Sequence, residues 1–389
     1  MKKIIFGAMA AAALLSCSKE QVLETNQNGN EISFSIETDN QTKASEVYSQ
    51  TKLMNEFTVC ATYDNGTINK WYYTDVVTRN GSSWIGKDKH YWSYDGTHDF
   101  YACVNGDMTV EDTPAPPQIV DFEPSTDVSK QVDLLYAVTG NMTRADRTVP
   151  LKFRHALSQI EFRAKNTNEK LHVIIKGVTV GNTISMATFT FPDGYFYDDP
   201  GTWSYGEPWS IGSYSVTVNG EKGIDIPNTS TPVNLTISSN NDFAKSMLLI
   251  PPATIEGLDW DGESFGTWAL EPGSPLDDCY SYLAVNCEIY NIEGTKFDPD
   301  TDVKLYSGDA IISARFTWEQ GKKYIYTFVF GDGSCGQTPD GDPVLVPIRY
   351  QIEVDDFDTV PDTNGEYDPD MDLVYNPLPD LPGWIDPPC

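Results

Sequence analysis

The sequence predicts an all-β protein, most simply two β-sandwiches. Apolar and polar residues alternate with period two in roughly fifteen short runs, as half-buried strands require. Asn-Gly and Asp-Gly pairs punctuate the runs at 65–66, 80–81, 95–96, 105–106, 193–194, 219–220 and 332–333. These pairs tolerate the positive φ of hairpin turns. Helical periodicity is nearly absent, with a single helical turn suggested at 156–160.

Taken in order, EISFSIE (31–37) alternates cleanly and reads as the first strand, with Ile32, Phe34 and Ile36 on one face. A polar stretch follows and contains Lys43. The next strands are expected at 57–63, 71–76, 90–93, 99–104, 133–138, 160–164 and 171–180. A second set follows at 187–191, 214–218, 233–237, 247–250, 280–289, 311–316, 324–330 and 348–354. No linker marks a boundary. Placing one at Gly181-Asn182 gives two domains, 32–182 and 183–357, each with enough strands for a sandwich. From 358 to 389 the chain is Pro-rich and acidic, which favours extended backbone without ladder donors. Within it only Met371, Leu373 and Tyr375 alternate as a strand would.

The N-terminus reads as an export signal. Lys2 and Lys3 precede twelve uncharged residues, too few to span a bilayer as a helix. Leu14-Leu15-Ser16-Cys17 resembles a bacterial lipobox, which makes 1–16 a lipoprotein signal peptide and Cys17 the acylated first residue of the mature chain. Several acyl chains on one cysteine, palmitate among them, anchor a protein where one would not. Residues 17–31 then serve as a polar tether.

Composition excludes whole classes. The formal net charge is −31, from 57 acidic and 26 basic residues, so nucleic acid is no partner. The chain's 47 aromatic residues supply ample core material. Besides Cys17 there are cysteines at 60, 103, 279, 287, 335 and 389. With no C-x-x-C and four histidines, a zinc site is not expected, and no cofactor is implied. Cys60 and Cys103 could pair if their strands are neighbours; free thiols account for all six equally well.

Other motifs are weaker. GESFG (262–266) matches G-x-S-x-G, but no strand–turn–helix surrounds Ser264. Asp298, Asp300 and Asp302 open like a calcium loop, yet Val303 and Asp309 occupy the positions where an EF-hand needs Gly and Glu. His155 reads as a structural, hydrogen-bonded histidine. The aromatic runs WYY (71–73) and YWSY (91–94) suit either a core or a sugar-binding surface.

Several segments together resemble the fimbrillin family of type V pilins and Mfa-like subunits. They are DLLYA (133–137), LKFRHALSQIEF (151–162), MLLIPP (247–252), WEQGKKYIYTF (318–328) and VDDF (354–357), after the lipobox start. The resemblance implies two tandem transthyretin-like β-sandwich domains and a non-enzymatic subunit of a surface fimbrium. It implies an outer-membrane lipoprotein that a trypsin-like protease cuts after a basic residue beyond the first strand. Here that residue is Lys43, where the family carries Arg. Loss of the strand bearing Ile32, Phe34 and Ile36 then opens a groove for a strand from another subunit. The candidate donor in this chain is the segment of Met371, Leu373 and Tyr375. Its Pro-rich surroundings depart from a regular donor and fit a tip or accessory subunit. The alternative is a non-polymerising surface lipoprotein that binds glycans through Trp92 and its neighbours. Stalk, tip and anchor roles, and any host or bacterial surface ligand, stay open.

Overall fold

A computed structural model describes residues 30–37, 55–81, 83–194, 199–206, 209–236, 246–252, 281–314, 316–340 and 343–356. Among these residues there is no α-helix, and the protein is all-β. The first part of the chain forms β1 (Ser33–Glu37), β2 (Glu56–Asp64), β3 (Asn69–Asn80), β4 (Ser83–Gly86), β5 (His98–Val104), β6 (Gln118–Phe122), β7 (Leu135–Met142), β8 (Thr148–Lys152) and β9 (Arg154–His155). All but β6 make one eight-stranded sheet in the order β8-β1-β4-β3-β2-β5-β7-β9. Its centre is a run of local antiparallel pairings, with Gly66 and Gly81 at φ +79° and +63° in two of the connecting turns.

The second part forms β10 (Ser158–Asn166), β11 (Leu171–Thr190), β12 (Thr202–Ser204), β13 (Ser210–Thr217), β14 (Ile224–Ile226), β15 (Val233–Asn234), β16 (Met247–Leu249), β17 (Tyr282–Asn291), β18 (Val303–Ser313), β19 (Lys322–Gln337) and β20 (Pro343–Asp356). With β6 they form a second, twelve-stranded network. Sheet membership changes between His155 and Ser158, while residue 182 lies inside β11.

Alternation explains the burial. Ile160 and Phe162 on β10, Val173 and Ile175 on β11, Val285 and Ile289 on β17, and Tyr326 and Phe328 on β19 meet in one large core. A second core lies under the eight-stranded sheet and includes Phe57, Val59, Phe100, Val149 and Leu151. A third joins the two parts of the chain: Tyr101, Tyr136 and Val138 from the first sheet meet Ile184, Ala187 and Phe189 from the far half of β11.

The structure corrects several local expectations. Residues 158–160 are strand, not helical turn, because Ser158, Gln159 and Ile160 pair with Leu249, Leu248 and Met247. Residues 187–191 do not start a new strand. β11 bends through two register shifts, with Asn182 at φ +53°, and runs on to Thr190. Gly181 permits this, since a Cβ there would lie 2.0 Å from the Tyr282 ring. Asp332-Gly333 is no hairpin turn either. It lies within β19, where a register shift between Phe330 and Cys335 absorbs the extra residues. Residues 90–93 form no ladder of their own; Tyr91 bridges Glu31.

Across the outer surface of β11, β17 and β18, Glu288 accepts from Lys176 Nζ at 2.8 Å and from the Tyr290 hydroxyl at 2.8 Å, and Lys304 Nζ lies 3.2 Å away. The Lys176 hydrogen bond first, then the Tyr290 hydroxyl and Lys304, hold the Glu288 carboxyl down at about 2. Its ionised form therefore stabilises the fold fully above pH 4.5, and this contribution is lost as pH falls toward 2. Glu288→Gln is expected to cost at most about 1 kcal/mol at pH 7 and low salt, less in high salt. Chemical denaturation at pH 7 and pH 3 checks this, and the difference between wild type and variant should shrink at the lower pH.

Candidate functional site

The first strand is the most distinctive element of the first sheet. It is interior: β8 lies on one side and β4 on the other. With β8 it makes five parallel pairs, from Ser33↔Thr148 to Glu37↔Lys152. With β4 it makes one antiparallel pair, Phe34↔Trp84. The Ser33 hydroxyl lies 2.9 Å from the Thr148 hydroxyl.

Ile32, Phe34 and Ile36 all pack on the core beneath this sheet. Ile32 is buried, whereas Phe34 and Ile36 are half-buried. Phe34 meets Phe57 and Phe100 edge-on, with ring centroids 5.8 and 6.0 Å away. Phe57 in turn contacts Trp84 and Phe153. Burying one such side chain contributes about 2–3 kcal/mol, and the edge contacts add a fraction more.

The residues just before β1 are held separately. Ile32 N–H donates to His90 O at 2.8 Å, and Trp92 N–H donates to Asn30 O at 3.1 Å. Lys89 Nζ pairs with Glu31 at 3.0 Å on the surface, which raises the Lys89 ammonium above its usual range. The holding segment is itself fixed from below. Asp75, buried on the apolar face of β3, accepts from Asp88 N–H at 3.1 Å and lies 3.2 Å from His90 Nε2. His90 stacks flat on Tyr73, with centroids 3.6 Å apart.

Alternation alone does not reveal β8. TVPLK (148–152) is interrupted by Pro150, and an interior strand seldom tolerates proline. Here β8 ends the sheet, so the missing N–H costs no ladder bond on a second side. The Pro150 carbonyl still accepts from Thr139 Oγ1.

The family model described as fimbrillin-like matches residues 42–342. The chain belongs to the fimbrillin-like family. No curated protein sequence matches it. Among solved structures, a fimbrial protein from Bacteroides vulgatus is similar with TM-score 0.56 and 14% identity, over 83% of this chain and 98% of that one. The fimbrial anchor protein Mfa2 from Porphyromonas gingivalis aligns at TM-score 0.34 and 10% identity, over 84% and 97% of the two chains. The tip fimbrial protein Mfa3 from the same organism, with a C-terminal truncation, aligns at 0.33 and 10%, over 77% and 93%. This is a family of fimbrial structural and adhesion proteins, not of enzymes, and it places the chain at the cell surface.

The remaining candidates fall into place within this fimbrillin-like chain. Cys17, Lys43, Ser264, Met371, Leu373 and Tyr375 lie outside the described residues. Cys60 and Cys103 sit on neighbouring strands, opposite Tyr101 and Thr58, and both are free thiols. Burial pushes both up, Cys103 to about 12, so neither is a ready thiolate. Asp302 spends its carboxylate on the amides of Glu293 and Asp298, at 3.0 and 2.8 Å, as a loop brace does. Those amides hold its carboxyl below the usual range. His155 Nδ1 contacts buried Asp133 at 2.5 Å, a structural link between β9 and the start of β7.

The aromatic runs mostly build the interior. Trp92 is 1% exposed, and its indole donates to Arg147 O at 3.2 Å. Tyr72 donates to Tyr91 O at 2.7 Å. Tyr94 is the exposed one, with the Arg144 guanidinium 5.2 Å from its ring centroid. Trp92→Ala should therefore act as a core deletion, costing about 3–5 kcal/mol in denaturant unfolding. Any change in glycan binding should follow the loss of folded protein, which a glycan array run beside circular dichroism would show.

Proposed function

We propose that the chain is a subunit of a surface fimbrium, assembled by exchange of its first strand. The observation that carries this is the position of β1. It is a five-residue insert between β8 and β4, and the remaining strands β4-β3-β2-β5-β7-β9 pair with one another without it. Taking β1 away exposes the apolar surface under Ile32, Phe34 and Ile36 and leaves the ladder groups of β8 unpaired. A strand from another subunit satisfies both.

In this reading Cys17 carries the lipid that holds the precursor to the outer membrane. A trypsin-like protease cuts after Lys43, which parts the lipidated segment and β1 from the body of the chain. The segment of Met371, Leu373 and Tyr375 is the donor for a neighbouring subunit. Its proline-rich surroundings suit a tip or accessory place in the fimbrium, where adhesion to a host or bacterial surface is the task.

Limited trypsin digestion of the protein beginning at Cys17 tests the proposal. One cut after Lys43 should leave a folded core, and a synthetic peptide with the β1 sequence, added in excess, should exchange with the resident strand. Phe34→Ala in that peptide should weaken binding by about 2–4 kcal/mol, read by fluorescence anisotropy. A core that stays intact at Lys43, or one that never releases β1, would defeat the reading.

A further inference from the structure

Resting on the strand-exchange reading, we infer that the partner of the β1 slot is a second copy of this chain. Residues 370–376 of that copy replace residues 31–37 place for place and in the same direction, with Asp370 beside Lys89. Two stretches of the sequence match in what the slot asks of them. EISFSIE (31–37) and DMDLVYN (370–376) each begin with an acid and then alternate. Met371, Leu373 and Tyr375 thus take the places of Ile32, Phe34 and Ile36.

Each place makes its own demand. Ile32 is buried, and an unbranched Met adapts to such a site. Phe34 meets Phe57 and Phe100, where Leu373 is apolar but smaller. Ile36 is half-buried, so a tyrosine there keeps its hydroxyl in water. Ser33 and Ser35 are exposed, and Asp372 and Val374 take those outward places.

The entry to the slot asks for backbone and one charge. A clamp is made there by His90 and Trp92: Ile32 N–H donates to His90 O, and Trp92 N–H donates to Asn30 O. Met371 brings the same N–H. Pro369 stands in the place of Asn30, and proline keeps the carbonyl that Trp92 uses. Pro377 falls one place beyond Glu37, the last residue of β1. The two prolines therefore bracket the strand without interrupting it. Lys89 Nζ pairs with Glu31 at 3.0 Å, and Asp370 brings a carboxylate to the same ammonium.

These places also set the direction. A reversed segment would bury the Tyr375 hydroxyl in the Ile32 site and would set uncharged Asn376 beside Lys89. They rank the two strands as well. Leu373 leaves space that Phe34 fills, so the resident strand holds more tightly than the incoming one. A chain keeps its own β1 until a cut removes the advantage of attachment.

Competition for the slot tests this. The acceptor is the chain from Cys17, cut after Lys43 or at a protease site inserted beside it, and labelled on the β1 fragment. It carries Leu373→Glu, so that its own tail cannot enter a slot. An unlabelled peptide of residues 30–37 is the reference. A peptide of residues 367–378 should also displace the label, at a half-displacing concentration about 10-fold higher. Leu373→Phe in that peptide should lower the concentration about 5-fold or more, whereas Val374→Phe, at an outward place, should leave it within about 2-fold. Asp370→Lys should raise it about 3-fold at low salt, and Lys89→Glu in the acceptor should reverse the order of these two peptides. A tail peptide that fails where the reference succeeds would overturn the inference while leaving strand exchange intact. So would a gain from Val374→Phe with none from Leu373→Phe, or displacement indifferent to the charge swap, which would mean another register or direction. If the reference itself never displaces the label, exchange fails and this partner with it.

Discussion

One strand holds the two parts of this molecule together. β11 pairs along its first half with β17 and β13, inside the larger core. Past the bend at Asn182 it turns to β6 and β12 and sends Ile184, Ala187 and Phe189 under the first sheet. Gly181 is the point on which this depends, because the Tyr282 ring occupies the space a side chain would need. A packed, hydrogen-bonded seam of this kind differs from a flexible linker. Load applied to one part passes to the other through ladder hydrogen bonds and packed aromatic rings, which suits a protein of a fimbrial family.

Much of the fold was legible in the residues. Alternation located most of the long strands, because the period-two pattern is imposed by burial on one face and survives almost any partner. Turn dipeptides marked the local hairpins. What the pattern could not show was which strands pair in parallel. β1 with β8 and β10 with β19 join segments far apart in the chain, and no hairpin turn advertises them. The short strands β4 and β8 were hidden for plain reasons: SWIG is four residues ending in glycine, and TVPLK is broken by proline. Asp332-Gly333 shows the opposite error, a turn signature absorbed by a bulge in a strand that other contacts had already fixed.

The inward residues of the first strand were readable from EISFSIE alone, since Ile32, Phe34 and Ile36 share a face in any extended chain. The clamp was not. His90 and Trp92 look in sequence like a strand of their own or a sugar platform. Their role comes from Asp75, a buried carboxylate three positions along β3 from Tyr72, which fixes the loop that carries them. A lone acid in an apolar run gives no hint of the backbone amide it will accept.

The parallel pairing of β1 also bears on how the chain reaches its native state. Ser33 and Thr148 are 115 residues apart, whereas the neighbouring strands β2, β3 and β4 meet through short connections. Contacts that close long loops form late, after local pairings have been made. The strands β4-β3-β2-β5-β7-β9 can pair with one another before β1 arrives, whereas β8 finds its ladder partner in β1. A nascent chain passing through this stage would hold an open groove for a short time. Whichever suitable strand is nearest then takes it, and covalent attachment gives β1 that advantage. Tethering is what makes a chain's own strand win this contest, and severing the tether puts every free strand nearby on equal terms with it.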